Sequence, residues 1–281
     1  MYRESIWQQT TAIPARPELP GNISTDIAIV GGGLAGILTA HFLEQSGRQC
    51  IVLEVDRVGS GQTGHTTAKV TSQHGLIYQK LIRCAGKKKA MQYAKINQDA
   101  IERYRILIEK YKIDCDWEEC PACLYTKESG RALRDEYYAA KELGLPVEMK
   151  KRTELPFAVE DALFCYGQAC FHPLKFLQVI AENIQVYEKT KVLRVKPHLL
   201  TTSRGTVEAE KIVFACHYPF VNRPGYYFLR MHQERSYVCA LKEAQTLHGM
   251  YLGIDRDGLS FRPAGELLLL GGGNHRTGEN P

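Results

Sequence analysis

The chain has 281 residues, 44% hydrophobic and 24% charged, with 24 Gly, 12 Pro and a formal net charge of +5. These are ordinary globular values, enough for about two domains at roughly 150 residues each, and they exclude collagen-like and disordered classes. Basic clusters as short as Lys87-Lys88-Lys89 and Lys150-Lys151-Arg152 make no nucleic-acid stripe, and no uncharged apolar run approaches the roughly 18 residues of a membrane span.

Residues 1–25 read as an irregular lead-in punctuated by Pro14, Pro17 and Pro20, without the apolar centre of a secretory signal. Nine cysteines, an odd number, then point to free thiols in a reducing, cytoplasmic setting. Asp26 to Val30 reads as a short buried strand running directly into glycines. Leu34, Ile37, Leu38, Phe42 and Leu43 share one face of a helix over 34–46, closed by Gly47. A second strand at 50–55 completes a strand, glycine turn, helix, strand unit. Residues 57–75 form a long Gly/Ser/Thr-rich loop, a length often kept for function. Helices are expected at 76–85, 88–111 and 128–143, with extended chain at 114–126 and 162–171. The helix at 88–111 carries Met91, Ile96, Ile101, Tyr104, Leu107 and Ile108 as its packing face. Pro173 opens another helix, at the N1 position that proline favours. Strands follow at 184–188, 191–196, 206–208 and 211–216, and 226–271 is nearly all strand and turn.

Gly31-Gly32-Gly33-Leu34-Ala35-Gly36 fits G-x-G-x-x-G between a strand and a helix, the context that gives the pattern meaning. Gly31 permits the tight turn, Gly33 admits a pyrophosphate against the backbone, and Gly36 lets helix pack on strand. The helix N-terminus at Leu34 and Ala35 then faces the phosphates. Glu54 lies 18 residues after Gly36, where a carboxylate accepts both ribose hydroxyls and disfavours a 2′-phosphate. An NAD-linked dehydrogenase, the more distant alternative, would continue with further strand–helix units. This chain instead enters the Gly/Thr loop, then helices, then a late run of strands, an interruption found in FAD-binding folds.

On these residues the chain resembles the D-amino acid oxidase/glycine oxidase superfamily of FAD-dependent oxidoreductases. The likeness covers the fingerprint from Asp26 to Glu54 and the loop Gly59-Ser60-Gly61-Gln62-Thr63-Gly64-His65-Thr66-Thr67-Ala68-Lys69. It continues through His172-Pro173-Leu174 to the strands Glu188 to Val195 and Thr206 to Ala215. The runs Gly64 to Gly75, Ala215 to Phe220 and Glu234-Arg235-Ser236-Tyr237 resemble a narrower bacterial subgroup that usually adds a C-terminal Rieske domain.

The resemblance implies an α/β architecture. A glutathione-reductase-like, Rossmann-type FAD-binding domain at 26–80 and 160–225 would be interleaved with a smaller mixed β-sheet substrate domain at 81–159 and 226–281. FAD is the implied cofactor. Ser60, Thr63, Gly64, His65, Thr66 and Thr67 would pass under pyrophosphate and flavin, Val192 would offer backbone to the adenine, and Ala215 would end a strand beside it. His65 either carries the flavin covalently, as a histidine near this position does in some relatives, or makes a polar contact to it. His217, Tyr218, Arg235, Tyr237 and Arg262 are the candidate catalytic residues around the flavin, where an Arg pairs with a substrate carboxylate. Lys69 would aid electron transfer to oxygen or fix backbone.

The implied reaction is oxidation of an amine or amino-acid-like small molecule by hydride transfer to flavin N5. The superfamily continues with more sheet, so the chain also reads as C-terminally incomplete. The alternative is accordingly a non-catalytic or split FAD-binding fragment, completed by a partner chain or domain. No metal is expected: Cys-x-His occurs once, at Cys170-Phe171-His172, with no Cys-x-x-His to pair with it, and acidic Asp116, Glu118 and Glu119 crowd the iron–sulfur-like spacing of Cys115, Cys120 and Cys123.

Overall fold

The computed structural model describes residues 4–223 and 225–279, so residues 1–3 of the lead-in and 280–281 of the second domain lie outside the described residues. In chain order the elements begin α1 (Ile6–Thr10), β1 (Ile23–Val30), α2 (Leu34–Gln45), β2 (Cys50–Leu53), β3 (Lys69–Val70), α3 (Tyr78–Ala85) and α4 (Lys87–Tyr111). Then come β4 (Glu118–Glu119), β5 (Ala122–Thr126), α5 (Arg131–Glu142), β6 (Val147–Lys150), β7 (Asp161–Cys165), β8 (Ala169–Cys170) and α6 (Pro173–Ile180). The remainder is β9 (Val186–Tyr187), β10 (Val192–Lys196), β11 (Leu199–Thr202), β12 (Thr206–Phe214), β13 (Glu234–Leu241), β14 (Met250–Gly253), β15 (Ser260–Ala264) and β16 (Leu267–Arg276).

Two compact units result. The first takes the described residues up to Thr66, then 113–115 and 172–233; the second takes 67–112, 116–171 and those from Glu234 onward. Residues 67–80 and 160–171 thus belong to the second unit, not to the cofactor domain where the sequence reading put them. The reason is strand pairing: β7 lies antiparallel to β5 and β6, and β8 pairs with β3 and β4.

The first unit is built on a sheet of order β10-β11-β12-β1-β2-β9. β12, β1, β2 and β9 run parallel, and β10 and β11 join β12 as an antiparallel meander. Ile27 to Val30 and Cys50 to Leu53 are buried throughout, the unbroken apolar run of a strand covered on both faces. α2 ends where Gly47 turns left-handed (φ +76°), and the Arg48 amide bonds back to Leu43 O. The two expected runs at 206–208 and 211–216 are one strand. Glu208, Glu210 and Lys211 are exposed, as is Phe214 at its end, so charge there marks the outer face and not a break. The lead-in is not irregular throughout: Ser5 starts α1 with a capping box to Gln8.

The second unit carries a sheet of order β13-β16-β15-β14-β5-β7-β6, antiparallel except for β14 beside β5, and the small sheet β3-β8-β4. β5 and β7 are buried at every position, around a core that includes Tyr125, Phe164, Tyr251 and Phe261. On α4 the packing face is Ala90, Ala94, Ile101 and Leu107, whereas Met91 and Ile96 are exposed. Small alanines let Tyr78 of α3 and Ala139 and Ala140 of α5 approach, so the seam follows size as well as hydrophobicity.

One buried carboxylate organises the start of α3. Glu136 is fully buried; its Oε1 accepts from the Ile77 and Tyr78 amides and from Gln73 Nε2, and its Oε2 accepts from the Gln79 amide. Glu136→Ala would strand several buried donors, each worth roughly 1–3 kcal/mol. We expect a loss of about 3 kcal/mol or more in urea unfolding, and a loss within 1 kcal/mol would refute this role.

Candidate cofactor site

The carboxyl ends of β1, β2 and β12 face one cavity of about 860 Å³ in the first unit. Its lining includes Gly31, Gly33, Leu34 and Ala35 from the glycine turn, Glu54 after β2, and Ser60, Gly61, Gln62 and Thr63 from the following loop. Val192 and Leu193 of β10 and Ala215, Cys216, His217 and Phe220 after β12 complete these walls.

Backbone proximity builds the turn. A Cβ on Gly31 would lie 2.6 Å from Ala215 O, and one on Gly36 would lie 1.9 Å from Gly31 O. Neither position admits a side chain, so α2 starts directly against β1 and β12. Gly33 caps α2 without a side-chain bond, and Thr63 Oγ1 accepts from the Leu34 amide at 3.0 Å. Glu54 Oε2 accepts from the Gly32 amide at 2.6 Å and Oε1 from the Asp56 amide at 2.9 Å. An ionised carboxylate has about four acceptor positions, so capacity for hydroxyl donors remains on the cavity side.

Comparison with known proteins gives this geometry a family. The family model described as FAD dependent oxidoreductase (DAO) matches residues 26–281. The chain belongs to the FAD-dependent oxidoreductase family. Among curated relatives, YhfW of Bacillus subtilis (strain 168), named as a Rieske 2Fe-2S iron-sulfur protein, is 36% identical over 98% of this chain and 57% of its own length. Gamma-glutamylputrescine oxidoreductase of Escherichia coli (strain K12) is 26% identical over 69% of this chain and 49% of that protein. The chain thus spans about half the length of the curated relatives it matches. Among solved structures, glycine oxidase from Geobacillus kaustophilus has a TM-score of 0.69 at 20% identity, covering 90% of this chain and 72% of that one. L-proline dehydrogenase from P. horikoshii reaches 0.72 at 15%, covering 92% and 72%.

FAD is the cofactor of the family, and the residues present fit it. The cavity is of ligand size, the N-terminus of α2 opens into it as an anion requires, and the Glu54 carboxylate lines it. Gly31, Gly33, Leu34, Ala35, Glu54, Ser60, Thr63, Val192 and Ala215 all line it. Gly36 acts one layer back, through its contact with Gly31. Gly64, His65 and Thr66 lie outside the lining, and Thr67 begins the second unit. The exposed His65 Nδ1 donates to Gly61 O at 2.9 Å, and Thr66 O accepts from Trp7 Nε1 at 2.8 Å. Sequence reasoning missed Gln62, Thr190, Lys191, Leu193, Cys216 and Phe220, each a near neighbour of a residue it had chosen.

The catalytic candidates are divided between the units. In the first, His217 lines the cavity in a left-handed conformation (φ +52°), its Nε2 accepting from the Gln62 amide at 3.3 Å. The Tyr218 hydroxyl donates to Met231 O. In the second, Arg235 and Tyr237 are exposed on β13, with the Tyr237 ring stacked on His275. Arg262 is buried in the same unit and donates to Phe171 O at 2.8 Å. Lys69 Nζ donates to Tyr251 O at 3.0 Å and Ser260 Oγ at 2.7 Å, so it fixes backbone. Burial, with the charge of Arg262 adding to it, lowers the Lys69 pKa to about 8.

Among the described residues no group of three or more His, Cys, Asp or Glu is arranged to hold a metal, and no helix is long and apolar enough to cross a membrane. Cys115 falls in the first unit, while Cys120 and Cys123 fall in the second, where Cys120 Sγ lies 3.9 Å from Cys170 Sγ.

Two measurements test this description. Gly36→Ala forces a Cβ onto a backbone carbonyl, an overpacking worth about 3 kcal/mol or more; we expect a lower unfolding midpoint together with loss of bound flavin. The Lys69 amine titrates near 8 when folded and at its ordinary 10.5 when unfolded. The unfolded chain therefore binds the extra proton between those values, and stability from this group rises with pH across that window. Wild type should gain stability relative to Lys69→Met as pH is raised from 7 to 10; a flat or falling difference refutes the assignment.

Proposed function

We propose that the chain is the FAD-binding part of an oxidoreductase acting on an amine or amino-acid-like substrate. The observation that carries this reading is the cavity at the carboxyl ends of β1, β2 and β12, walled by the glycine turn, Glu54 and the loop Ser60 to Thr63. The substrate class is supported by the relatives, whose names specify gamma-glutamylputrescine, glycine, L-proline and L-amino acids. When bound, FAD would supply the two-electron acceptor for the substrate's oxidation.

The chain's own residues do the rest. Gly31, Gly33, Leu34 and Ala35 bring backbone against the pyrophosphate, and Glu54 accepts the ribose hydroxyls. Val192 would offer backbone to the adenine, and Ser60 and Thr63 would line the cofactor's other side, with Gly64, His65 and Thr66 continuing that loop outside the lining. His217, fixed by Gln62, is the polar side chain at the wall after β12 and holds or passes a proton there. Tyr218 is a further candidate in this unit for orienting substrate.

A second reading, in which turnover needs further polypeptide such as a partner chain or domain, is favoured by β13. All eight of its residues are exposed, Tyr237, Val238 and Leu241 among them.

The purified chain should show flavin absorption that passes to the supernatant on acid precipitation, because His65 lies outside the cavity lining. Flavin that stays with the pellet would show a covalent link. Anaerobic addition of primary and secondary amines or amino acids should then bleach the bound flavin. Bound flavin that no such compound bleaches would favour the second reading, and a protein that takes up no FAD would refute the first.

A further inference from the structure

The loop from Arg57 to Thr66 supplies one wall of the cavity, and its internal bonds, such as Ser60 N–H to Arg57 O and Gly64 N–H to Gly61 O, reach only three or four residues. It contains Gly59, Gly61 and Gly64, with Gly59 left-handed at φ +74°, and a single 3-10 turn at Gln62–His65. Toward the sheet it is fixed by the Gly59 amide bonding to Gly32 O at 3.0 Å, and by Thr63 receiving the Leu34 amide.

Its other side rests on the N-terminal segment, which precedes the residues matched by the family model. Trp7 is buried, and its indole Nε1 donates to Thr66 O at 2.8 Å. Its ring meets the His172 ring edge-on at 4.7 Å, and His172 Nε2 bonds to Thr10 Oγ1 at 2.9 Å. That ties α1 to the N-terminus of α6. Gln8 sits where Gly64 has no side chain: a Cβ there would lie 3.4 Å from Gln8 Nε2. Arg57 Nη2 donates to Ile13 O at 2.8 Å.

The buried carboxylate of Glu188 closes the arrangement. Its Oε1 accepts from the Val58 amide at 2.8 Å; its Oε2 takes the Arg57 guanidinium at 2.9 Å and the Arg16 amide at 3.1 Å. One side chain thus joins loop and segment, and the segment continues beside β9, where the Glu188 amide donates to Pro17 O.

We propose that residues 5–20 form a strap that sets the affinity for FAD by holding the loop 57–66 in its binding shape, with Trp7, Arg57 and Glu188 as positioning residues. The inference rests on the cofactor reading above. Loop residues that are ordered before binding do not have to be ordered by it, so loosening the strap weakens binding without removing any group from the cavity. By reciprocity, bound FAD stabilises the strap to the same degree.

The test compares the full-length wild type, Trp7→Phe and Arg57→Lys, each stripped of flavin and titrated with FAD. Trp7→Phe keeps an aromatic ring and removes the donor to Thr66 O; Arg57→Lys keeps the charge and removes the second tether. Each should weaken FAD binding roughly fivefold, the scale of one lost hydrogen bond. Amide exchange in the flavin-free variants should quicken at 57–66 and stay unaltered in β1 and β2. In wild type, added FAD should slow exchange at 5–20. Equal affinities, exchange that quickens evenly through the unit, or no effect of FAD at 5–20 would each overturn the proposal. Should Trp7→Phe fail to fold, Arg57→Lys carries the test, since that side chain is 42% exposed. A wild type that takes up no FAD brings down the cofactor reading as well; equal affinities bring down only the strap.

Discussion

Three stretches of backbone meet at Gly31, Gly36 and Ala215, and the rest of the cavity depends on that approach. The spacing leaves room for hydrogen at the two glycines and for nothing larger, with the Ala215 methyl packed beside Gly36. Because α2 starts this close to β1, its first amides open where three parallel strands end. Those strand ends place Glu54 on one wall and His217 on another. Open parallel sheets bind ligands outside their carboxyl ends. Here the glycines decide that the space at that edge is a cavity and not a packed core.

Elsewhere the fold solves a different difficulty, that of irregular backbone held away from water. Each buried amide needs a partner, and loops have no ladder to supply it. In each unit one buried glutamate takes that part. Glu188 gathers amides from two segments far apart in sequence and balances its charge against Arg57. Glu136 collects the amides that open α3. Bonds to an ionised acceptor are among the stronger ones available, so a single carboxylate can fix a stretch that has almost no apolar surface of its own.

What the sequence made legible was local and periodic. The first strand–helix–strand unit could be read because its strands are unbroken apolar runs and a glycine marks every tight place. The cavity residues found that way are those for which glycine, a carboxylate or a hydroxyl has one evident use. Less was legible where a residue's role depends on a distant partner. Trp7 belongs to no motif and Glu188 only heads an expected strand, and only the folded chain shows that one meets Thr66 and the other Arg16. His65 was singled out by its place in a loop, but a carbonyl four residues earlier holds its ring. The exposed charges of β12 resembled a break between two strands because alternation toward solvent and interruption look alike in a short window. The division at 160–171 was hidden for the same reason: strands declare their existence in sequence, not their partners.

β13 is the outermost strand of its sheet, and every one of its residues faces solvent. An outer strand of this length is a template for another strand, and proteins usually blunt such an edge with charge, proline or a covering segment. Here Glu234 and Arg235 guard one end, while Tyr237 to Leu241 carries no charge at all. Handled alone at high concentration, the chain has a built-in tendency to stick to itself through this edge, and its solubility becomes a matter of what lies alongside β13.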